Sequence, residues 1–146
     1  LLRWLIGEVE EASAYGNHIA YPEFPGDDFT MVQYRFVNDV VGRVGVGYGT
    51  VLPRGAGGMT LQLYGSRGSL VNERYYTGEP GEGEWIHEQA PPVQNTFWQE
   101  VDYFIECLDA GVAPAVDVRE GARNVAACLA GVQAAATGRP VKPKRY

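Results

Sequence analysis

The clearest β-strand pattern in the chain runs Phe29-Thr30-Met31-Val32-Gln33-Tyr34-Arg35-Phe36-Val37. Successive side chains of a strand point to opposite faces, so the odd-numbered residues share one face and the even-numbered residues share the other. Apolar side chains occur in both sets, which predicts that both faces of this strand are covered. A strand of this kind belongs to a sheet, and the neighbouring sequence supplies its partners.

Further strand patterns lie on both sides of this stretch. Val9 to Tyr15 alternates before it, and Val40 to Val51 follows the turn at Asn38-Asp39. Shorter patterns occur at 59–64, 69–72, 74–76 and 84–87. Turn residues separate these patterns, so residues 9–88 are predicted to form one antiparallel sheet of meandering strands.

The strand at 40–51 is rich in glycine. Gly42, Gly45, Gly47 and Gly49 lie within it, and such glycines usually mark the close approach of another backbone or of a ligand. A dinucleotide fingerprint needs a third glycine and a helix opening directly after it, and neither is present here. We therefore assign these glycines to sheet packing and turns.

Two helices are predicted near the C-terminal end. The first is capped by Asn95 or Thr96, and its expected buried stripe is Phe97, Val101, Phe104, Ile105 and Leu108. The second is capped by Asp117 and ends at Gly138, with an expected stripe of Val125, Cys128, Leu129, Val132 and Ala136. Strands first and helices last indicate an α+β fold: an open, mainly antiparallel sheet with C-terminal helices packed on one face.

Composition excludes several classes of protein. The chain has 146 residues and a net charge of −6, which argues against nucleic-acid binding. The one basic cluster, Lys142-Lys144-Arg145, is assigned to a solvated tail. No apolar run approaches the roughly 18 residues of a membrane span.

Cys107 and Cys128 are predicted to be reduced core thiols of a cytoplasmic protein, and no metal-ligand spacing occurs. The pairs Glu10-Glu11 and Asp27-Asp28 are predicted to be solvated.

The chain begins in the middle of a helical pattern. Leu1, Leu2, Leu5 and Ile6 have helical spacing, and Gly7 stands where a helix would end. A helix this short is marginal by itself, because nucleation is costly. We therefore expect the chain to be a piece of a larger protein.

Four segments together resemble one known family. They are Leu1-Leu2-Arg3-Trp4-Leu5-Ile6-Gly7-Glu8-Val9, Gln62-Leu63-Tyr64-Gly65-Ser66-Arg67-Gly68-Ser69-Leu70, Phe104-Ile105-Glu106-Cys107-Leu108-Asp109-Ala110-Gly111, and Gly121 through Val141. In this order they resemble motifs of the C-terminal domain of the Gfo/Idh/MocA oxidoreductases, the relatives of glucose–fructose oxidoreductase and inositol dehydrogenase.

The resemblance implies a division of labour between two domains. In the family, an N-terminal Rossmann domain binds NAD(P), and a catalytic Asp and His precede the segment that matches Leu1. Residues 1–146 are then the C-terminal substrate and oligomerisation domain, with no catalytic and no cofactor-binding residue. Their parent is expected to use NAD or NADP on a sugar, polyol or similar alcohol. Alone they are expected to be inactive and to bind no cofactor. The open sheet face is expected to form a homo-oligomer.

Five residues are candidates for substrate contact. Arg54 precedes the glycine loop and could bind a hydroxylated or anionic group. Tyr75, Tyr76, Trp85 and His87 could form a sugar-stacking surface. The plainer interpretations are a solvated loop arginine, and sheet packing or an oligomer interface. A Tyr-Asp pair that contacts the polyol in inositol dehydrogenases is replaced here by Gly57-Gly58, so inositol is not the expected substrate.

Two other functions remain open on the sequence. The chain could be a non-catalytic binding or regulatory module that uses its open sheet for assembly or for small-molecule binding. It could also be an unrelated cup-shaped α+β domain that binds a small molecule. The helical pattern that is already under way at Leu1 argues against this cup-shaped domain.

Overall fold

A computed structural model describes residues 1–54, 56–88 and 96–146 of the chain. The chain divides into two compact units. The first unit consists of Leu1–Val51 and Ala113–Tyr146, and the second unit consists of Leu52–Val112.

After a short first helix, the elements follow one another as strands first and helices last. In chain order they are α1 (Leu2–Ile6), β1 (Val9–Asn17), β2 (Phe29–Phe36), β3 (Val41–Gly47), β4 (Gln62–Gly65), β5 (Gly68–Val71), β6 (Arg74–Tyr76), β7 (Ile86–His87), α2 (Thr96–Ala110) and α3 (Val118–Thr137). Every strand pairing is antiparallel, and the sheets are open. This confirms the α+β fold class.

The first unit is a three-stranded sheet, in the order β1-β2-β3, covered by α3. The predicted alternation of β2 is confirmed, because Val32, Tyr34 and Phe36 are buried whereas Phe29 is 41% exposed. We call the buried side of this sheet its inner face and the other side its outer face. The core combines both elements: Val9, Ala12, Ala14, Val32, Tyr34 and Phe36 from the sheet with Ala127, Ala130 and Ala134 from the helix. The prediction that both faces are covered is not met within this unit.

The glycines of β3 make room for side chains of β2. A Cβ at Gly45 would lie 3.0 Å from the methyl carbon of Met31, and one at Gly47 would lie 2.6 Å from the ring of Phe29. Met31 and Phe29 are paired with these same glycines in the antiparallel register. The close neighbours are therefore side chains of the adjacent strand.

Helix α3 has the predicted ends. The Asp117 carboxylate accepts hydrogen bonds from the N–H groups of Arg119 and Glu120, each at 2.9 Å. At the other end Gly138 adopts a φ of 64°, the left-handed conformation that closes many helices. After α3, Val141 forms an antiparallel β-bridge with Ala12 of β1.

The buried stripe of α3 is not the predicted one. Its buried residues are Ala126, Ala127, Ala130, Gly131 and Ala134. Val125, Leu129 and Val132 are 57%, 54% and 61% exposed. A Cβ at Gly131 would already lie 3.0 Å from both methyl groups of Val32. The helix lies too close to the sheet for large side chains, and this proximity selects the small residues for burial.

The second unit corrects the prediction of a single sheet. Strands β4 to β7 form a separate four-stranded sheet, and residues 48–61 contain no strand where the structure describes them. Pro53 has no N–H to donate to a ladder, and the glycines around it favour irregular backbone. The strand predicted to begin at Met59 accordingly begins at Gln62.

Helix α2 also differs from expectation. Cys107 is its buried residue, whereas Phe97 and Leu108 of the predicted stripe are 77% and 63% exposed. The strands of this unit are only two to four residues long, so they offer little apolar surface to a helix. Of the two proposed capping residues, Thr96 is the first residue of the helix itself, and Asn95 lies outside the described residues.

Three polar or reactive side chains have instructive positions. Asp28 was predicted to be solvated, but it is 2% exposed, and its carboxylate accepts from the N–H groups of Ala20 (2.6 Å) and Tyr21 (2.8 Å). These bonds close the loop between β1 and β2. The core position predicted for Cys107 is confirmed, whereas the one predicted for Cys128 is wrong because its thiol is exposed.

Candidate functional site

The two predicted tyrosines lie on opposite faces of the small sheet. Tyr75 is paired with Leu70 on one side and with Ile86 on the other, so these three side chains share a face. Tyr76 follows directly on β6 and points to the other face. The structure therefore separates Tyr75 from Tyr76, and a single stacking surface cannot use both.

Tyr76 is committed to a turn. Its hydroxyl contacts the carbonyl oxygens of Glu79 and Glu82, which close the loop between β6 and β7. Its ring lies against Gly78 and Gly83, where a Cβ would be within 3.6 Å of ring atoms. The side chain thus holds the loop in place, and its hydroxyl is already used within the protein.

Trp85 and His87 share the surface with a residue that the sequence analysis did not select. The guanidinium of Arg74 lies over the Trp85 ring, 5.9 Å from its centroid. Arg74 is also paired with His87 across the β6–β7 ladder. Trp85 remains 45% exposed, and His87 is exposed. We call Arg74, Trp85 and His87 the aromatic edge.

The aromatic edge carries groups that suit a polyhydroxylated ligand. An indole face can stack on the C–H face of a sugar ring, while guanidinium and imidazole can bond to hydroxyl groups. Arg74 had one sequence signal, its two-residue spacing from Tyr76 on a short strand. That spacing did not predict that the loop between β6 and β7 brings Trp85 back to Arg74.

Arg54 is not part of this edge. It is exposed, and it makes no hydrogen bond or ion pair with any residue in the described ranges. A shallow hollow of about 250 Å³ in the same unit is lined by Leu63, Gly68, Ser69, Leu70, Tyr76 and Thr77. Of the five predicted substrate residues, only Tyr76 lines it. The structure thus brings Trp85 and His87 together with Arg74, on the face of β6 that also carries Tyr76, whereas Tyr75 lies on the opposite face.

A second polar centre occurs in the first unit, around Arg3. Its side chain is only 9% exposed and forms ion pairs with Glu8 and Glu120. It also donates to the side-chain oxygen of Asn124 at 2.8 Å. The hydrogen bond from Arg3 holds the pKa of Glu8 below its ordinary value, and the same bond raises the pKa of Arg3. This network ties α1 to α3 and to the start of β1.

A cleft of about 180 Å³ adjoins the Arg3 network. Its walls are Arg3, Glu8, Val9, Arg123, Ala127, Pro143, Lys144, Arg145 and Tyr146. The sequence analysis missed it because its residues come from three distant parts of the chain. Only the tail cluster was visible, and it was interpreted as solvated.

Two kinds of feature are absent from the described residues. Across 1–54, 56–88 and 96–146, no three His, Cys, Asp or Glu side chains come together in a way that could hold a metal ion. No helix in these ranges is long and apolar enough to span a bilayer.

The fold defines a class, the α+β domains with open antiparallel sheets and C-terminal helices. Residues 1–142 match the family model described as the oxidoreductase family, C-terminal alpha/beta domain (GFO_IDH_MocA_C). The chain belongs to this family, and the resemblance seen in the sequence is confirmed.

Solved structures agree with this assignment. Levoglucosan dehydrogenase in complex with NADH is 19% identical with a TM-score of 0.77, over 99% of this chain and 47% of that one. The WlbA dehydrogenase of Bordetella pertussis, in complex with NADH and UDP-GlcNAcA, is 22% identical with a TM-score of 0.72, over 100% and 42%. The aldose-aldose oxidoreductase of Caulobacter crescentus, complexed with glycerol, is 22% identical with a TM-score of 0.77, over 96% and 43%.

These relatives are distant and longer. Identities this low show a shared fold, and the chain spans a little under half the length of each of these three structures. No curated protein sequence matches the chain significantly.

Proposed function

We propose that residues 1–146 are the C-terminal, substrate-side and oligomerisation domain of an NAD(P)-dependent oxidoreductase in the cytoplasm that acts on a sugar, polyol or similar alcohol. The observation that carries the proposal is the family match over residues 1–142. It is supported by structural neighbours solved with NADH and with sugar-type ligands.

Two features support the proposal that this chain by itself binds no nicotinamide dinucleotide. Pyrophosphate binding needs free N–H groups at a helix N-terminus after a glycine-rich turn. At the start of α3, the Asp117 carboxylate already occupies the N–H groups of Arg119 and Glu120 and adds a negative charge. The 146 residues also contain no G-x-G-x-x-G. The proposal therefore places cofactor binding and proton transfer outside this chain.

The contribution of this chain is to bind and orient the substrate. The aromatic edge offers one indole face and two nitrogen-bearing side chains on a single exposed surface. Stacking fixes the plane of a sugar ring, and hydrogen bonds to its hydroxyls fix its rotation. Arg54, on its exposed loop, is a further candidate for contact with substrate.

Self-association is proposed for the outer face of the three-stranded sheet. Tyr15 is 84% exposed there, and Val41 is 71% exposed. Arg35, Gln33 and Arg43 lie between these apolar residues, and the mixture is typical of protein interfaces. A second copy of this face would cover the exposed apolar groups.

The deciding experiment compares two purified proteins: the 146-residue chain and the product of the complete reading frame that contains it. Both are assayed for reduction of NAD and NADP with a panel of sugars and polyols. We expect turnover by the complete product only. Turnover by the 146-residue chain would overturn the proposal. A complete product with no nucleotide binding and no turnover would favour the non-catalytic module instead.

Two matched variants test the aromatic edge in the active protein. Trp85→Ala is expected to raise KM more than it lowers kcat, because it removes a stacking surface. Tyr64→Ala is the control, since Tyr64 is 71% exposed on β4, at the opposite edge of the same sheet. Equal effects of the two variants would exclude the aromatic edge as the substrate surface.

Sedimentation of the wild type and two variants tests self-association. Tyr15→Arg places a charge on the outer face and is expected to shift the protein toward monomer. Val132→Arg, on the exposed side of α3, is expected to leave the oligomer unchanged. A wild-type protein that is monomeric at micromolar concentrations would contradict this part of the proposal.

A further inference from the structure

We propose that the cleft of about 180 Å³ beside the Arg3 network is a binding site for a phosphate-type dianion. The chemistry is that of a phosphate group, carried either by inorganic phosphate or by a small sugar phosphate. The inference rests on the first unit alone and does not depend on the oxidoreductase proposal.

The charge around the cleft is positive in a protein that is negative overall. Four cationic side chains line it: Arg3, Arg123, Lys144 and Arg145. The three arginines contact two carboxylates, Glu8 and Glu120. The chain as a whole carries −6. A local excess of positive charge in such a protein attracts an anion to this place rather than to the surface in general.

The Arg3 guanidinium forms a fixed wall of the cleft. It donates to Glu8, to Asn124 and to both the backbone and the side chain of Glu120. With its N–H groups used in this way, Arg3 contributes charge and rigidity to the site. It is not the group that would bond a ligand directly.

Lys144 and Arg145 have donors to spare. Arg145 forms one loose ion pair, 3.9 Å from Glu8. The Lys144 ammonium lies 5.3 Å from the centroid of the Tyr146 ring and donates no hydrogen bond to any residue in the described ranges. An ammonium and a guanidinium flanking one cleft can bond several oxygens of a tetrahedral anion at once.

The shape of the cleft supports a small ligand. Val9, Ala127 and Pro143 form its apolar part, and Val9 and Ala127 are 3% and 7% exposed. Apolar walls lower the local dielectric and strengthen the interaction of charges within the cleft. At roughly 30 Å³ for one water, the volume holds a few waters or one oxyanion.

The test is a calorimetric titration of the protein with inorganic phosphate and, separately, with glucose 6-phosphate. Ionic strength is held constant with chloride. We expect saturable binding of phosphate, weakened roughly tenfold by Lys144→Ala and by Arg145→Ala, since each removes a charged donor. Tighter binding of glucose 6-phosphate would identify the phosphate ester as the ligand, and equal binding would identify the free anion.

Lys142→Ala is the matched control. It makes the same change in net charge, but Lys142 pairs with Glu10 at 3.7 Å and does not line the cleft. It is expected to change affinity less than twofold. Lys142 and Arg145 have side chains that are 71% and 59% exposed, and Lys144 is also exposed, so all three variants are expected to fold. Absence of saturable binding, or equal weakening by all three variants, would overturn the site.

Discussion

The two faces of the three-stranded sheet carry similar apolar side chains, but they differ in burial. Phe36 on the inner face is fully buried at 0% exposure, whereas Phe29, on the outer face of the same strand, is 41% exposed. The inner face is covered by the alanine side of α3, and the outer face remains open within the unit. Hydrophobic content alone therefore does not say which face of this sheet is the core.

What distinguishes the inner face is the distance to its partner. The helix that covers it offers Ala127, Ala130, Gly131 and Ala134, and it lies so close that a Cβ at Gly131 would touch Val32. Close approach maximises van der Waals contact over the whole interface. The larger residues of α3 would prevent that approach, and they lie on its exposed side.

The largest expected effect separates the two phenylalanines. Phe36→Ala removes a fully buried ring and leaves a cavity, so the free energy of unfolding is expected to fall by about 3–5 kcal/mol. Phe29→Ala is the matched control on the outer face, with an expected loss of about 1 kcal/mol or less. Urea denaturation of both variants gives the comparison. Equal losses would mean that the two faces are covered alike.

A smaller effect is expected from adding volume on the two sides of α3. Gly131→Leu forces a side chain against Val32 and is expected to cost about 1–3 kcal/mol of stability. Val132→Leu adds volume one residue further on, where the side chain is 61% exposed, and is expected to change stability by less than about 0.5 kcal/mol. A neutral Gly131→Leu variant would contradict the close packing of helix on sheet.

The ends of α3 and its buried side differ in how well the sequence predicts them. The ends of α3 were predicted correctly because Asp117 and Gly138 act through local backbone geometry. The buried stripe of α3 was predicted wrongly. The apolar periodicity of a helix indicates its most hydrophobic face, but it does not indicate how closely the helix approaches the sheet. Alanine is compatible both with a narrow gap and with an exposed position, so its identity does not predict burial. Only the distance from α3 to Val32 and Tyr34 determines which residues of the helix are buried.

The candidate sites show the same limit. Tyr75 and Tyr76 were grouped by adjacency, although alternation along a strand sends neighbours to opposite faces. Trp85 and His87 lie on one surface with Arg74, which was missed because the loop between β6 and β7 separates it in sequence from Trp85. The Arg3 network joins residues more than a hundred positions apart, and no local spacing indicates such a contact.

Two adjacent aspartates, one buried and one exposed, are expected to affect stability in acid differently. The N–H groups of Tyr21 and Ala20 hold the pKa of Asp28 below its ordinary value of 3.8. A lowered folded-state pKa means that the carboxylate stabilises the fold above this value and stops doing so as the pH falls through it to the folded pKa. Asp28→Asn is therefore expected to flatten the loss of stability in acid, measured by urea midpoints from pH 6 to pH 2. Asp27→Asn, at an exposed position, is expected to leave the profile unchanged, and the same flattening in both variants would contradict the role of Asp28.

The two thiols are expected to differ in accessibility with almost no change in stability. Cys128 is exposed on α3, whereas Cys107 is buried at 5% exposure. A thiol-specific reagent applied to the native protein should react with one cysteine quickly and with the other only when the structure around it opens. Cys128→Ser is expected to abolish the fast phase and to change stability by less than about 0.5 kcal/mol, as for other surface substitutions. Cys107→Ser should leave the fast phase intact. If the fast phase instead disappears in Cys107→Ser, Cys107 is the rapidly reacting thiol. That outcome would show that the side of α2 that carries Cys107 is exposed in the native protein, and it would contradict the prediction.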